Sequence, residues 1–175
     1  MAYYIKPFEQ LDFTDNFMFV KIMENDPGLC RELIELILQK EISRLEFTTY
    51  EKTIEINPDT RGIRMDVYTR DDDQTVYDIE MQVVIKPDLA KRTRYYHSIS
   101  DIDNLKKNES YSKLGDAYVI FICKNKPREG FDLPVYTFRY QCQEKQDIFL
   151  EDGTWMIFVN AHCNKGLVSE KMADF

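Results

Sequence analysis

The chain is poor in the residues that punctuate or cross-link a protein: six glycines, six prolines, four cysteines and two histidines in 175 residues. No Pro/Gly/Ser-rich stretch forms a linker, and repeats and low-complexity tracts are missing, so no internal domain boundary is expected. The cysteines, Cys30, Cys123, Cys142 and Cys163, are scattered with no CxxC pair. With so few histidines, that spacing supports neither a zinc knuckle nor a disulfide framework, and points to reduced thiols in or near a core. No run approaches the roughly 18 apolar residues of a membrane helix, and Met1–Gln10 lacks the charged-then-apolar order of a signal peptide, which makes the cytoplasm the default compartment. Positive charge is also short, with 23 Lys and Arg against 31 Asp and Glu and a formal net charge of -8. That balance counts against a nucleic-acid partner, because phosphate binding normally rests on Lys and Arg. Two facts weaken the objection: metal sites are acidic until the metal binds, and a basic stripe can sit locally on an acidic protein.

What the chain does have is 43% hydrophobic and 13% aromatic residues, enough for one sizeable core in a single domain. A first helix is expected from about Asp15 to Glu24, interrupted at Asn25–Gly28. A second follows, with Asp26 as N-cap, Pro27 in its first turn and Leu29, Leu33, Leu36, Ile37 and Ile42 as its apolar stripe. Three extended stretches come next: Phe47 to Ile56, Arg64 to Tyr68 and Val76 to Val84. Between the last two, Asp71-Asp72-Asp73-Gln74-Thr75 is a run of turn formers that suits a hairpin. A long helix should run from about Asp88 to Lys107, with Asn108 in the left-handed position that ends it. Ala117 to Cys123 is an unbroken apolar run, the mark of a strand buried on both faces. Strands at Val135 to Tyr140 and Trp155 to Asn160, and a short N-capped helix in Ser169–Phe175, finish the chain. The fold class is α/β, in the order helix, strand, strand, strand, helix, strand, with C-terminal additions.

The chemistry concentrates on two adjacent strands. Alternation sends Tyr77, Ile79, Met81 and Val83 to one face and Asp78, Glu80 and Gln82 to the other. On the preceding strand Met65 and Val67 take the core face, which puts Asp66 on the side of Glu80. If the hairpin pairs Arg70 with Val76, Asp66 stands opposite Glu80, with Cβ atoms about 5 Å apart. Two carboxylates that close repel unless a cation lies between them, and Mg²⁺ is commonly held by one or two carboxylates plus waters and phosphate oxygens. Gln82 points into the same space, where it can orient an attacking water or hold a phosphate oxygen. The same spacing also suits solvated acids on the open face of an antiparallel hairpin. Spacing alone leaves both readings standing.

Further signals come from stretches in order. LDFTDNFMF (Leu11–Phe19), GIRMDVY (Gly62–Tyr68), YDIEMQ (Tyr77–Gln82), KRTRYY (Lys91–Tyr96), YVIFIC (Tyr118–Cys123), YTF (Tyr136–Phe138) and Asp152-Gly153 resemble the successive motifs of the PD-(D/E)XK nuclease family transposases, the recombination-promoting nuclease group. The resemblance spans nearly the whole chain. It implies a restriction-endonuclease-like core (αβββαβ), a central mixed sheet flanked by helices, and Mg²⁺- or Mn²⁺-dependent cleavage of DNA. Carried over position by position, it implies that Asp66 and Glu80 are metal ligands and that Asp15 is a third acid reaching the metal or its water shell. Gln82 stands where the wider superfamily has its catalytic lysine. Gln is neutral, and losing one transition-state donor typically costs roughly 10²- to 10³-fold, a loss that another cation could compensate. Arg92 is the preferred phosphate contact, with Arg94 and Tyr96 as further DNA contacts on the same helix; a solvated basic helix face is the alternative. Lys106, Lys107, Lys113, Lys124, Lys126 and Arg128, at or beyond element ends, form either a DNA rim or a solvated surface. His97 and His162 lack the partners of a nucleophilic or zinc site and are expected to be structural. Relatives usually continue past the last residue here, so a C-terminal helical region is expected to be missing, and function as a homo-oligomer is compatible with the sequence. The competing function is a nuclease-fold module without useful turnover that binds DNA or a protein partner.

Overall fold

A computed structural model of the protein describes residues 10–163; the helix expected in Ser169–Phe175 lies outside them. Helix α1 (Asn16–Asn25) and helix α2 (Pro27–Leu38) follow one another almost without a break, because Asp26 is at once the C-cap of the first and the N-cap of the second. Its backbone N–H closes α1 on the Ile22 carbonyl, and its side chain accepts the Leu29 N–H, a cap worth about 1 kcal/mol. Pro27 opens α2 at the position where a missing N–H costs nothing. Strands β1 (Leu45–Ile54), β2 (Ile63–Asp71) and β3 (Val76–Gln82) come next, then helix α3 (Leu89–Asn104) and strands β4 (Ala117–Cys123), β5 (Val135–Phe138) and β6 (Thr154–Asn160). The expected αβββαβ order is present, with two further strands. Helix α3 stops at Asn104, before the expected Lys107, while Asn108 does take a left-handed φ of 71° in the loop beyond.

Among the described residues the strands form one six-stranded mixed sheet in the order β1-β2-β3-β4-β6-β5. The β1-β2, β2-β3 and β5-β6 pairs are antiparallel, and β3-β4 and β4-β6 are parallel. Both faces are covered. Phe19, Met23, Cys30, Leu33 and Ile34 of α1 and α2 pack with Val67, Tyr77, Ile79, Ile120 and Ile157 on one side. Leu89, Tyr96 and Ile99 of α3 pack with Tyr68, Val119, Phe121 and Phe158 on the other. This is why every residue of β3 and β4 is buried, each large apolar side chain contributing about 1.5–3 kcal/mol. It also removes one of the two readings of the acidic strand: Asp78 and Glu80 do not lie on an open, solvated face.

Arg70 pairs with Val76, the register under which Asp66 stands opposite Glu80. Gly115 helps to fix that register, since a Cβ there would come within 2.3 Å of the Gln74 carbonyl oxygen in the turn. The ladder between β2 and β3 runs from this pair to Val67↔Ile79. Beyond it the expected alternation fails, because Val67 belongs to the core under α1 and α2 while Met65 belongs to the core under α3. On β1, Tyr50 pairs with Val67 and Lys52 with Met65, and the residue between them, Glu51, has a left-handed φ of 52°. Both strands are therefore irregular at the level of Asp66. No helix among the described residues is long and apolar enough to cross a membrane.

Candidate active site

Where the β2-β3 ladder stops, two carboxylates take over its work. The Asp66 backbone N–H donates to Glu80 Oε1 at 2.9 Å, and the Met81 backbone N–H donates to Asp66 Oδ2 at 3.0 Å. Each acid thus accepts from the other's strand, and the pair the sequence placed side by side is brought together. Asp66 and Glu80 are 3% and 1% exposed. Asp78, two residues before Glu80 on the same face, is equally buried, and neither of its carboxylate oxygens meets a hydrogen-bond donor.

Three buried acids in one place carry an electrostatic cost. Burial is the main cause that pushes Asp66 up from its ordinary pKa, against the pull of Asn16 and the Met81 N–H. Asp78 and Glu80 are pushed well above the carboxylate range, first by burial and then by neighbouring negative charge, that of Asp66 on Asp78 and those of Asp78 and Asp66 on Glu80. The interior is short of positive charge at this point.

Two side chains partly offset it. From α1, the Asn16 amide donates to both Asp66 oxygens at 2.9 Å. From α3, Arg92 donates through Nη2 to Glu80 Oε2 at 2.6 Å, through Nη1 to Gln82 Oε1 at 2.7 Å, and through Nε and Nη2 to the Tyr96 hydroxyl at 3.0 and 2.7 Å. Its guanidinium also lies 4.9 Å from the Tyr96 ring centre and 5.0 Å from that of Phe121. Burial works against the Arg92 charge, but Glu80 and Tyr96 outweigh it and raise its pKa. Burial pushes the Tyr96 hydroxyl up to about 12, so it stays protonated. The Gln82 amide is engaged at both ends, accepting from Arg92 and donating to the Val84 carbonyl.

Not every expected residue arrives here. The Asp15 side chain caps the turn before α1, its Oδ2 accepting the Asp12 N–H at 2.8 Å; the side chain that α1 delivers to Asp66 is that of Asn16, which the sequence pattern did not single out. Arg94 is exposed, and two residues on from Arg92 along a helix it lies about 200° around the axis, away from the acids. His97 is buried and bonds the Trp155 carbonyl at 3.1 Å, a structural placement.

The donor set suits a hard divalent cation. All the available ligands are oxygens, the chemistry Mg²⁺ and Mn²⁺ prefer. A carboxylate oxygen has two lone pairs, and the bonds above leave one unused on Asp66 Oδ1 and one on each Glu80 oxygen. Among the described residues no group of three or more His, Cys, Asp or Glu side chains is arranged to hold a metal ion. A site here therefore rests on the two acids, the number Mg²⁺ commonly takes from a protein while waters and phosphate oxygens fill the rest.

A family model described as PD-(D/E)XK nuclease family transposase matches residues 10–167. No curated protein and no solved structure matches the chain.

Proposed function

The chain belongs to the PD-(D/E)XK nuclease family transposases, and on that premise we propose that it is a Mg²⁺- or Mn²⁺-dependent endonuclease hydrolysing DNA phosphodiester bonds in transposition or recombination. The family carries a nuclease-type function, and its nucleases generally use divalent metal ions. The observation that carries the finer reading is the broken ladder: Asp66 and Glu80 bonded across the gap between β2 and β3, with free oxygen lone pairs in an interior short of positive charge.

In this reading Asp66 and Glu80 hold the metal, which when bound supplies a water of lowered pKa and neutralises charge on the phosphate. Asn16 keeps both Asp66 oxygens oriented from the side of α1. Arg92 gives the site its fixed cation, the role the neutral Gln82 leaves open. Arg94, on the outer face of α3, contacts DNA away from the cleavage point, and the exposed Lys91 lies beside it on the same helix.

A Mg²⁺ or Mn²⁺ cleavage assay on plasmid DNA tests the assignment. Cleavage that disappears in both Asp66→Ala and Glu80→Ala supports it, and activity that survives both substitutions sinks it. A second reading, a nuclease-fold module that binds DNA or a protein without turnover, draws on one feature: both acids already have hydrogen-bond partners within the chain. It predicts no cleavage by the wild type with either metal.

A further inference from the structure

Arg92 and Tyr96 sit one turn apart on α3 and form the most heavily bonded pair in the site. A guanidinium carries five N–H hydrogens. Four are taken up by Tyr96, Gln82 and Glu80, which leaves one Nη1 hydrogen with no acceptor among the described residues. The Tyr96 hydroxyl accepts both of its bonds from Arg92, so its own hydrogen remains to be donated. Arg92 is 34% exposed at its side chain, while Tyr96 is buried at 5%, so the guanidinium is the member of the pair that reaches solvent. Two unspent donors, one cationic and one neutral, side by side and anchored against a buried acid, match the needs of a non-bridging phosphate oxygen.

We propose that Arg92 and Tyr96 form a two-donor cradle for one non-bridging oxygen of a phosphodiester, and that Gln82 is a positioning residue that holds the guanidinium in it. The substrate class rests on the nuclease reading of the site. Gln82 serves Arg92 rather than the attacking water, because both ends of its amide are engaged within the chain. The four internal bonds hold the fork before substrate arrives, so the donors need no reorganisation when charge develops on the phosphate. An Arg tied only to Glu80 would be a counter-ion. Tying it also to a neutral amide and a neutral hydroxyl fixes its plane without spending its charge.

Three measurements test this together: single-turnover cleavage of a labelled DNA oligonucleotide with Mn²⁺, calorimetric Mn²⁺ titration, and fluorescence anisotropy of the same oligonucleotide with Ca²⁺ in place of Mn²⁺. Tyr96→Phe and Gln82→Leu should each slow cleavage by roughly 10²-fold, as losing one transition-state donor does, with Mn²⁺ affinity unchanged. Gln82→Glu, which keeps an acceptor for Arg92, should recover most of the loss seen in Gln82→Leu. Gln82→Lys should partly restore cleavage to Arg92→Ala, since it supplies a cation from the neighbouring strand. Wild-type rates in both Tyr96→Phe and Gln82→Leu overturn the cradle and leave the nuclease reading intact; so does a loss of Mn²⁺ affinity in Gln82→Leu as large as in Glu80→Ala. If the wild type cleaves with neither Mg²⁺ nor Mn²⁺, the nuclease reading fails and anisotropy decides the cradle. Weaker oligonucleotide binding in Arg92→Ala and Tyr96→Phe then supports it, and unaltered or undetectable binding overturns it.

Discussion

Asp66 and Asp71 lie on the same strand and are equally buried, 3% exposed each, yet they are built into opposite kinds of surroundings. Asp71 closes the hairpin: its carboxylate accepts the Thr75 N–H and the Tyr77 hydroxyl, both at 2.8 Å, and its own N–H donates to the Thr75 carbonyl. Neutral donors from its own turn satisfy it. Asp66, at the other end of β2, accepts from neutral donors too, but it shares its space with Glu80 and Asp78, and burial raises its pKa. Burial of an acid is thus no mark of function. Burial of several acids with too little positive charge among them is such a mark, since a fold gains no stability from it and a bound cation relieves it.

Substitutions at the two ends should separate cleanly. The largest effect is expected at the acid-rich end, where Arg92→Ala should lower single-turnover cleavage per folded molecule by roughly 10³-fold, about 4 kcal/mol, and should also lower the thermal midpoint because buried Glu80 loses its counter-ion. At the turn end, Asp71→Ala should cost about 3 kcal/mol of stability by stripping the acceptor from two buried donors. Chemical denaturation measures that loss, while the cleavage rate per folded molecule should stay at the wild-type value; an activity loss beyond the unfolded fraction would erase the distinction. Asn16→Ala leaves Asp66 in place but less firmly oriented, and Mn²⁺ affinity should fall roughly 10- to 100-fold, the usual cost of losing a group that orients a ligand. An effect that shows only as pH is lowered belongs to a region outside both. Burial lowers the His97 pKa to about 4 from an ordinary 6.5. The unfolded chain therefore binds a proton that the folded one refuses, and the contribution of His97 to stability should fall as pH drops from about 6.5 toward 4, by at most about 1.4 kcal/mol per pH unit, opposite in sign to the contribution of the buried acids with raised pKa. The difference in stability between wild type and His97→Gln in pH-dependent denaturation should carry that slope and vanish if His97 does not titrate.

Much of this contrast was legible in the amino-acid sequence. The alternation in Val76 to Gln82, the turn formers at Asp71–Thr75 and the apolar run at Ala117–Cys123 mark the strands, a hairpin whose register with Arg70 opposite Val76 brings Asp66 to Glu80, and a strand buried on both faces; the parallel, central position of β4 comes from the structure. What could not be read were consequences of distance in the chain. Asn16 meets Asp66 only because α1 packs over the sheet, 50 positions away in sequence. The kink that sends Met65 and Val67 to opposite cores depends on a left-handed Glu51 on another strand, where local propensity favours nothing of the kind. The covered second face, which turned Asp78 and Glu80 from surface acids into buried ones, came from the docking of α3. Arg92 was picked out by charge and helical spacing, but its grip by Gln82 and Tyr96 required the actual crossing of α3 over β3.

Calorimetric titration of Mn²⁺ into the wild type, Asp66→Asn and Asp71→Asn tests the central claim most directly. A cation shared by Asp66 and Glu80 requires binding to the wild type, none to Asp66→Asn, and wild-type affinity in Asp71→Asn. A wild type that takes up no Mn²⁺, or an Asp66→Asn variant that binds it as tightly as the wild type, would contradict the assignment.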